Sequence, residues 1–201
     1  MIPALWTSPP LTAEESARWT TSEERAAAAG FVSERRRAEF LTWRAVVRRE
    51  LGDDVGIAYD ALGAPVLTNR AVHISVAHCA GRIAVCASPE RCAVDIEPAT
   101  RDFRRAASRY LTPEEEALSD DPLLPGIVWC AKETLYKYAG RRELDFRRDL
   151  HVVRLDLAAG TLAGRIGNGE PADRCYNAAD TDGNSRYAGR NTGAKSGCCF
   201  G

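Results

Sequence analysis

The chain has 201 residues, with 27 Lys and Arg against 28 Asp and Glu and a formal net charge of −1. That length builds one sizeable core, or two small halves sharing one, and the even charge leaves no whole-protein argument for binding nucleic acid or membrane. No apolar run approaches the roughly 18 residues needed to span a bilayer, and MIPALWTSPP lacks the basic and long apolar regions of a signal peptide.

The cysteines are odd in number and form no C-x-x-C pair, so the expectation is free thiols in a reducing, cytoplasmic setting. TAEE at residues 12–15 and TSEE at residues 21–24 are capping-box patterns that open short helices. Ser33 opens a longer one, SERRRAEFLTWRAVVRREL, and Gly52 sits where a glycine would stop it. Phe40, Trp43, Val47 and Leu51 recur at helical spacing and mark the buried face. Arg37, Arg44 and Arg48 line an adjacent stripe that reads as a solvated basic face, with Arg44 nearest its apolar border. A nucleic-acid-binding module would use this helix, but no second basic face supports it, and the expectation is no nucleic-acid partner.

From residue 72 the period changes to two. VHISVA and RIAVCA flank the turn-like HCAG and predict a hairpin, and SPER leads into CAVDIEP, a predicted third strand. On such a strand Asp95 and Glu97 share one face, with their Cβ atoms about 7 Å apart. Two readings stand at this point: the wet side of an ordinary strand, or a pair of carboxylates holding one hard cation.

TPEEEAL predicts another helix, with Thr112 as cap, Pro113 in the first turn and Glu115 in the capping-box position. IVWCAKETLYKYAG reads as one amphipathic helix closed by Gly140. Trp129, Glu133 and Lys137 stand four apart along one face of it. As a surface pair Glu133 and Lys137 would be worth about 0.3–0.5 kcal/mol, which leaves a Trp on the same stripe unexplained. HVVRLDL and TLAGRI make a closing hairpin. No Val, Leu, Ile or Met follows Ile166, so residues 168–201 are predicted to be largely disordered or irregular.

Taken together, AVDIEP and WCAKETLYKYAG resemble the paired signature of the 4′-phosphopantetheinyl transferase superfamily, (V/I)-D-(I/V)-E followed by W-x-x-K-E-x-x-x-K. The residues carrying it are Val94, Asp95, Ile96 and Glu97, then Trp129, Lys132, Glu133 and Lys137. RRRAEFLTWRAVVR is similar to the arginine-bearing helix of the Sfp-type branch, HISVAHC to its S-x-S-H segment, GAPVL to its G-K-P segment and RYLTPEE to its aromatic-Leu-Ser/Thr-x-x-Glu segment. Two positions depart from the pattern: Ala64 replaces the usual lysine, and Ala77 the second serine.

The resemblance implies an α+β fold of two similar halves, each a small antiparallel sheet packed on a long helix, with the active site in the cleft between them. Residues 1–93 would form the first half and 94–167 the second. It implies transfer of the phosphopantetheine arm of coenzyme A to a serine of an apo carrier protein by a monomer, releasing adenosine 3′,5′-bisphosphate. A relative that binds coenzyme A or the carrier without transfer is the alternative. By that resemblance Asp95, Glu97 and Glu133 would hold Mg²⁺, or Mn²⁺, against the diphosphate. Lys137 would contact a phosphate oxygen, and Lys132 either a phosphate or only solvent. His78 and Arg44 would meet the 3′-phosphate of coenzyme A. Deprotonation of the carrier serine is open between Glu133, a water on the metal and Glu115. RDFRRAASR is either a dock for an acidic carrier helix or a solvated face.

Overall fold

The computed structural model describes residues 4–169 and the strands at 172–179 and 197–200. It is mixed helix and sheet, with small sheets that are mostly antiparallel.

Strand β1 (Ala4–Ser8) leads into helices α1 (Ala13–Ala17) and α2 (Ser22–Ala29), whose capping boxes at Thr12 and Thr21 both form. Each Thr hydroxyl accepts from the N3 amide while the N3 Glu accepts from the Thr amide, which satisfies donors the first turn would otherwise leave unpaired. Helix α3 (Glu34–Leu51) starts at Ser33, whose Oγ accepts from Arg36 N, and stops at Gly52 with φ 118°. Strands β2 (Ile57–Tyr59) and β3 (Pro65–Leu67) form a small hairpin.

Strands β4 (His73–Cys79) and β5 (Arg82–Ser88) pair as the period-two pattern predicts, and β1 adds to the other side of β5, giving the order β1-β5-β4. Alternation along β5 splits its side chains between two cores. Ile83, Val85 and Ala87 face Trp43, Val46 and Val47 of α3. Ala84 and Cys86, with Ala77 of β4, face Val94 and Ile96. The residues on this second face are small, which lets a main chain lie close against the sheet.

That chain is CAVDIEP, and here the prediction needs correcting. Residues 91–98 run without strand assignment and join no ladder. They are held by side chains instead: the buried Ser75 Oγ accepts from Val94 N at 3.2 Å. The expected boundary between residues 93 and 94 falls inside this continuous segment, and Val94 and Ile96 are buried against the first sheet.

Residues Arg104–Arg109 form a 3₁₀ turn, followed by the short helix α4 (Pro113–Glu116) with its capping box at Thr112. Helix α5 (Leu124–Ala139) begins earlier than the sequence pattern suggested and ends at the left-handed Gly140. Its apolar face packs on β6 (Leu150–Asp156) and β7 (Thr161–Ile166), with Ile127, Val128, Cys130 and Ala131 meeting Tyr110, Leu111, Val152 and Leu162.

Two stretches of the tail, Ala172–Ala179 (β8) and Gly197–Phe200 (β9), are strands, so the irregular reading does not hold for them. β8 pairs antiparallel with β7, and β9 parallel with β8. An open strand edge offers main-chain partners whatever the side chains are. Residues 168 and 169 form a turn, and the rest of the expected irregular tail lies outside the described residues.

Candidate active site

The site is built where the C-terminal half of α5 passes over the 91–98 segment. Arg91 Nη1 donates to the carbonyls of Tyr138 and Ala139 at 2.8 and 3.1 Å, satisfying acceptors that the helix end leaves open. Three residues further on, Lys137 Nζ donates to Val94 O at 2.9 Å and to Asp95 Oδ1 at 2.8 Å. The segment is thereby tied to the helix at two points, and Asp95 is carried in beneath Lys137.

The wet-side reading of Asp95 fails on burial. Its residue is only 8% exposed, and its Oδ2 is buried without a hydrogen-bond partner. A buried carboxylate oxygen left unpaired costs on the order of 1–3 kcal/mol or more. Glu97 is more open and pairs with Arg101.

Glu133 lies one helical turn before Lys137, and no hydrogen bond or ion pair holds its carboxylate among the described residues. Burial pushes its carboxyl above the usual carboxylate range, and the Asp95 charge adds to the effect; Lys137 opposes it, and Glu97 contributes a smaller upward push. The three acids therefore act on one another. The Cys130 thiol is pushed well up, first by burial and then by the Asp95 charge beside it.

Carboxylate oxygens are the donor set that suits a hard divalent cation, and the unpartnered Asp95 Oδ2 together with the unheld Glu133 fits such an ion. Among the described residues, no three His, Cys, Asp or Glu side chains stand in a ready ligand grouping. Asp95 and Glu97 are instead neutralised by Lys137 and Arg101.

His78, more than half exposed at the end of β4, has Nδ1 3.4 Å from Glu39 Oε2 of α3. Alternation along β4 turns it toward α3, on the face opposite Ala77 and Cys79, which meet Val94 and Ile96.

Four expectations are corrected. Lys132 is neither exposed nor free for a phosphate. It is wholly buried, with Nζ 2.8 Å from Glu115 Oε2 and donating to the carbonyls of Tyr110 and Phe146. Glu115 is equally enclosed, accepting from Thr112 N at 3.0 Å and Val152 N at 2.9 Å, so it reaches no carrier serine. Arg44 is 3% exposed and engaged inside the N-terminal part of the molecule. It donates to Phe40 O and Tyr59 Oη, lies 3.4 Å from Glu24 and stacks 3.4 Å over Phe40. Arg48, assigned to a solvated face, is buried and forked onto both oxygens of Glu24. Nothing on α3 itself signals this, because the partner carboxylate comes from α2.

Trp129 packs as a spacer, with Phe146 stacked at 5.4 Å and Tyr110 edge-on at 5.1 Å. Sequence reasoning missed Arg91, and it read Arg101 only as part of RDFRRAASR, a dock or a solvated face, although Arg101 stands four residues beyond Glu97.

A model of the 4′-phosphopantetheinyl transferase superfamily matches residues 91–189 of the chain. That match begins at Arg91, the residue that ties the acid segment to α5, and spans Asp95, Glu97, Glu133 and Lys137. No curated protein matches the chain.

Proposed function

We propose, from the match of residues 91–189 to the 4′-phosphopantetheinyl transferase superfamily, that the protein moves the phosphopantetheine arm of coenzyme A onto a serine of an apo carrier protein. The observation that carries this reading is the contact of Lys137 with Asp95, whose second carboxylate oxygen is buried without a hydrogen-bond partner, with the charges of Asp95 and Glu97 acting on Glu133. The two helix-on-sheet units, α3 on the first sheet and α5 on β6 and β7, are read as the two halves of the fold, with the site in the cleft between them.

Asp95, Glu97 and Glu133 would hold Mg²⁺ or Mn²⁺, which when bound supplies charge neutralisation for a diphosphate and its departing phosphate. The chain's own residues do the rest. The carrier serine Oγ forms a bond to the phosphorus bearing the pantetheine arm, the bridging P–O bond breaks, and adenosine 3′,5′-bisphosphate leaves with the electron pair. Glu133 takes the serine proton: no hydrogen bond or ion pair holds its carboxylate among the described residues, so an oxygen is open to accept it. With Glu115 enclosed, a water on the metal is the other candidate for this role. Lys137, held by Val94 O, keeps an ammonium at the edge of the acids to meet negative charge as it develops. By the family resemblance, the exposed imidazole of His78 would meet a phosphate of coenzyme A.

A second reading is a relative that binds coenzyme A or the carrier without transfer. It draws on Ala64 in the lysine position and on the internal ion pairs that occupy Asp95 and Glu97. One experiment separates the two. The full chain is mixed with apo carrier protein, coenzyme A and Mg²⁺, and the carrier is weighed by mass spectrometry. Gain of the phosphopantetheine mass supports transfer, whereas an unmodified carrier at high enzyme concentration removes it. Asp95→Asn should lower the rate by roughly 100-fold or more with the circular dichroism spectrum unchanged.

A further inference from the structure

We propose that Arg101 is a displaceable counter-ion of Glu97, which competes with a divalent cation for that carboxylate and so sets how tightly the site takes its metal. The inference rests on the proposed function.

The two cations beside the acids are held differently. Lys137 Nζ has a main-chain acceptor, Val94 O, as well as Asp95. It stays in place whatever happens to the carboxylate. Arg101 has no such anchor: among the described residues Glu97 is the one acceptor for its guanidinium. Its side chain is 50% exposed against 16% for Glu97, so water can take over its donors when it lets go.

Arg101 also has somewhere to go. Its guanidinium carbon lies 4.8 Å from the ring centre of Phe103 and 5.9 Å from that of Trp129. It borders a cavity of about 290 Å³ lined also by Phe103, Leu123 and Pro125. The side chain can therefore swing away along aromatic faces without forcing packed atoms apart.

Competition follows from occupancy and charge. A guanidinium in contact with a Glu97 oxygen and a metal ion bonded to that oxygen cannot coexist. Three carboxylates face two cations, so the cluster keeps attraction to spare for a divalent ion. The cation with the weakest hold is the one it displaces.

The test is Mn²⁺ binding to the full chain without coenzyme A or carrier, read by electron paramagnetic resonance of free manganese. Arg101→Met keeps the aliphatic packing on Phe103 and should bind Mn²⁺ about two- to fivefold tighter, the equivalent of removing an exposed ion pair. Arg104→Met removes the same charge nearby from a side chain that makes no ion pair among the described residues, and should leave Mn²⁺ affinity unchanged. No tightening in Arg101→Met, or equal tightening in both variants, overturns the proposal. Should Arg101→Met unfold, Arg101→Lys weakens the planar grip and the stacking. It must still tighten Mn²⁺ binding for the proposal to stand. Equal Mn²⁺ affinities alongside carrier modification by the wild type would remove this inference alone. Absence of Mn²⁺ binding from every form would remove it together with the metal-assisted reading.

Discussion

At the scale of single residues, the determining feature is which charges have a partner. Lys132 and Glu115 are both almost inaccessible and satisfy each other together with four main-chain groups. Burial pushes the Lys132 ammonium below its usual value, and Glu115 partly restores it. Lys132→Met or Glu115→Leu alone should cost about 3–5 kcal/mol in urea unfolding, since each strands a buried charge, and the double variant should lose less than the sum. Glu133 behaves in the opposite sense. Its raised carboxyl means the folded, metal-free protein holds that proton more tightly than the unfolded chain does. Its contribution to stability is thus present below the ordinary carboxylate range and lost as pH rises through the raised value. Glu133→Gln should raise the metal-free melting temperature at neutral pH, with the gain shrinking on acidification. A gain that is constant across pH would contradict this assignment. Both glutamates were singled out from sequence, yet only the partners reached through the fold separate an acid held by a buried cation from one that no ion pair holds among the described residues.

Elements were more legible than residues. The three threonine capping boxes, Gly52 and Gly140 formed as expected, because caps are written in a few adjacent residues. The hairpins 73–88 and 150–166 followed from period two and turn residues. CAVDIEP was misread as a paired strand since alternation reports only that one face is apolar; the pairing edge belongs to a neighbour. Gly140 has φ 57°, and a side chain there would meet the Arg91 guanidinium at 2.8 Å. Gly140→Ala should cost about 1–2 kcal/mol from backbone strain alone, and it would also displace the arginine that caps α5. Gly164 of β7 marks where α5 comes closest, with an added Cβ 2.7 Å from Leu135. Gly164→Ala should cost about 1–3 kcal/mol through overpacking, measurable by chemical denaturation.

Across the whole molecule, the acid segment is held by both the first sheet and the second long helix. Its apolar side chains pack on the first sheet while Arg91 and Lys137 fasten it to the second long helix. Lys137→Met should release the latter fastening. Amide hydrogen exchange should then accelerate over residues 91–97 and the last turn of α5, with β4 and β5 unaffected. Uniform acceleration throughout the chain would show a general loss of stability instead. The sequence by itself determined the helices, their caps and the hairpins, because each depends on residues a few places apart. Tertiary structure alone decided that Asp95 is buried beneath Lys137, that Glu115 and Lys132 neutralise each other, and that Arg44 and Arg48 turn inward to Glu24. The exposure and partner of a charge depend on chain segments that pack against it from far along the sequence, and local periodicity carries no record of them.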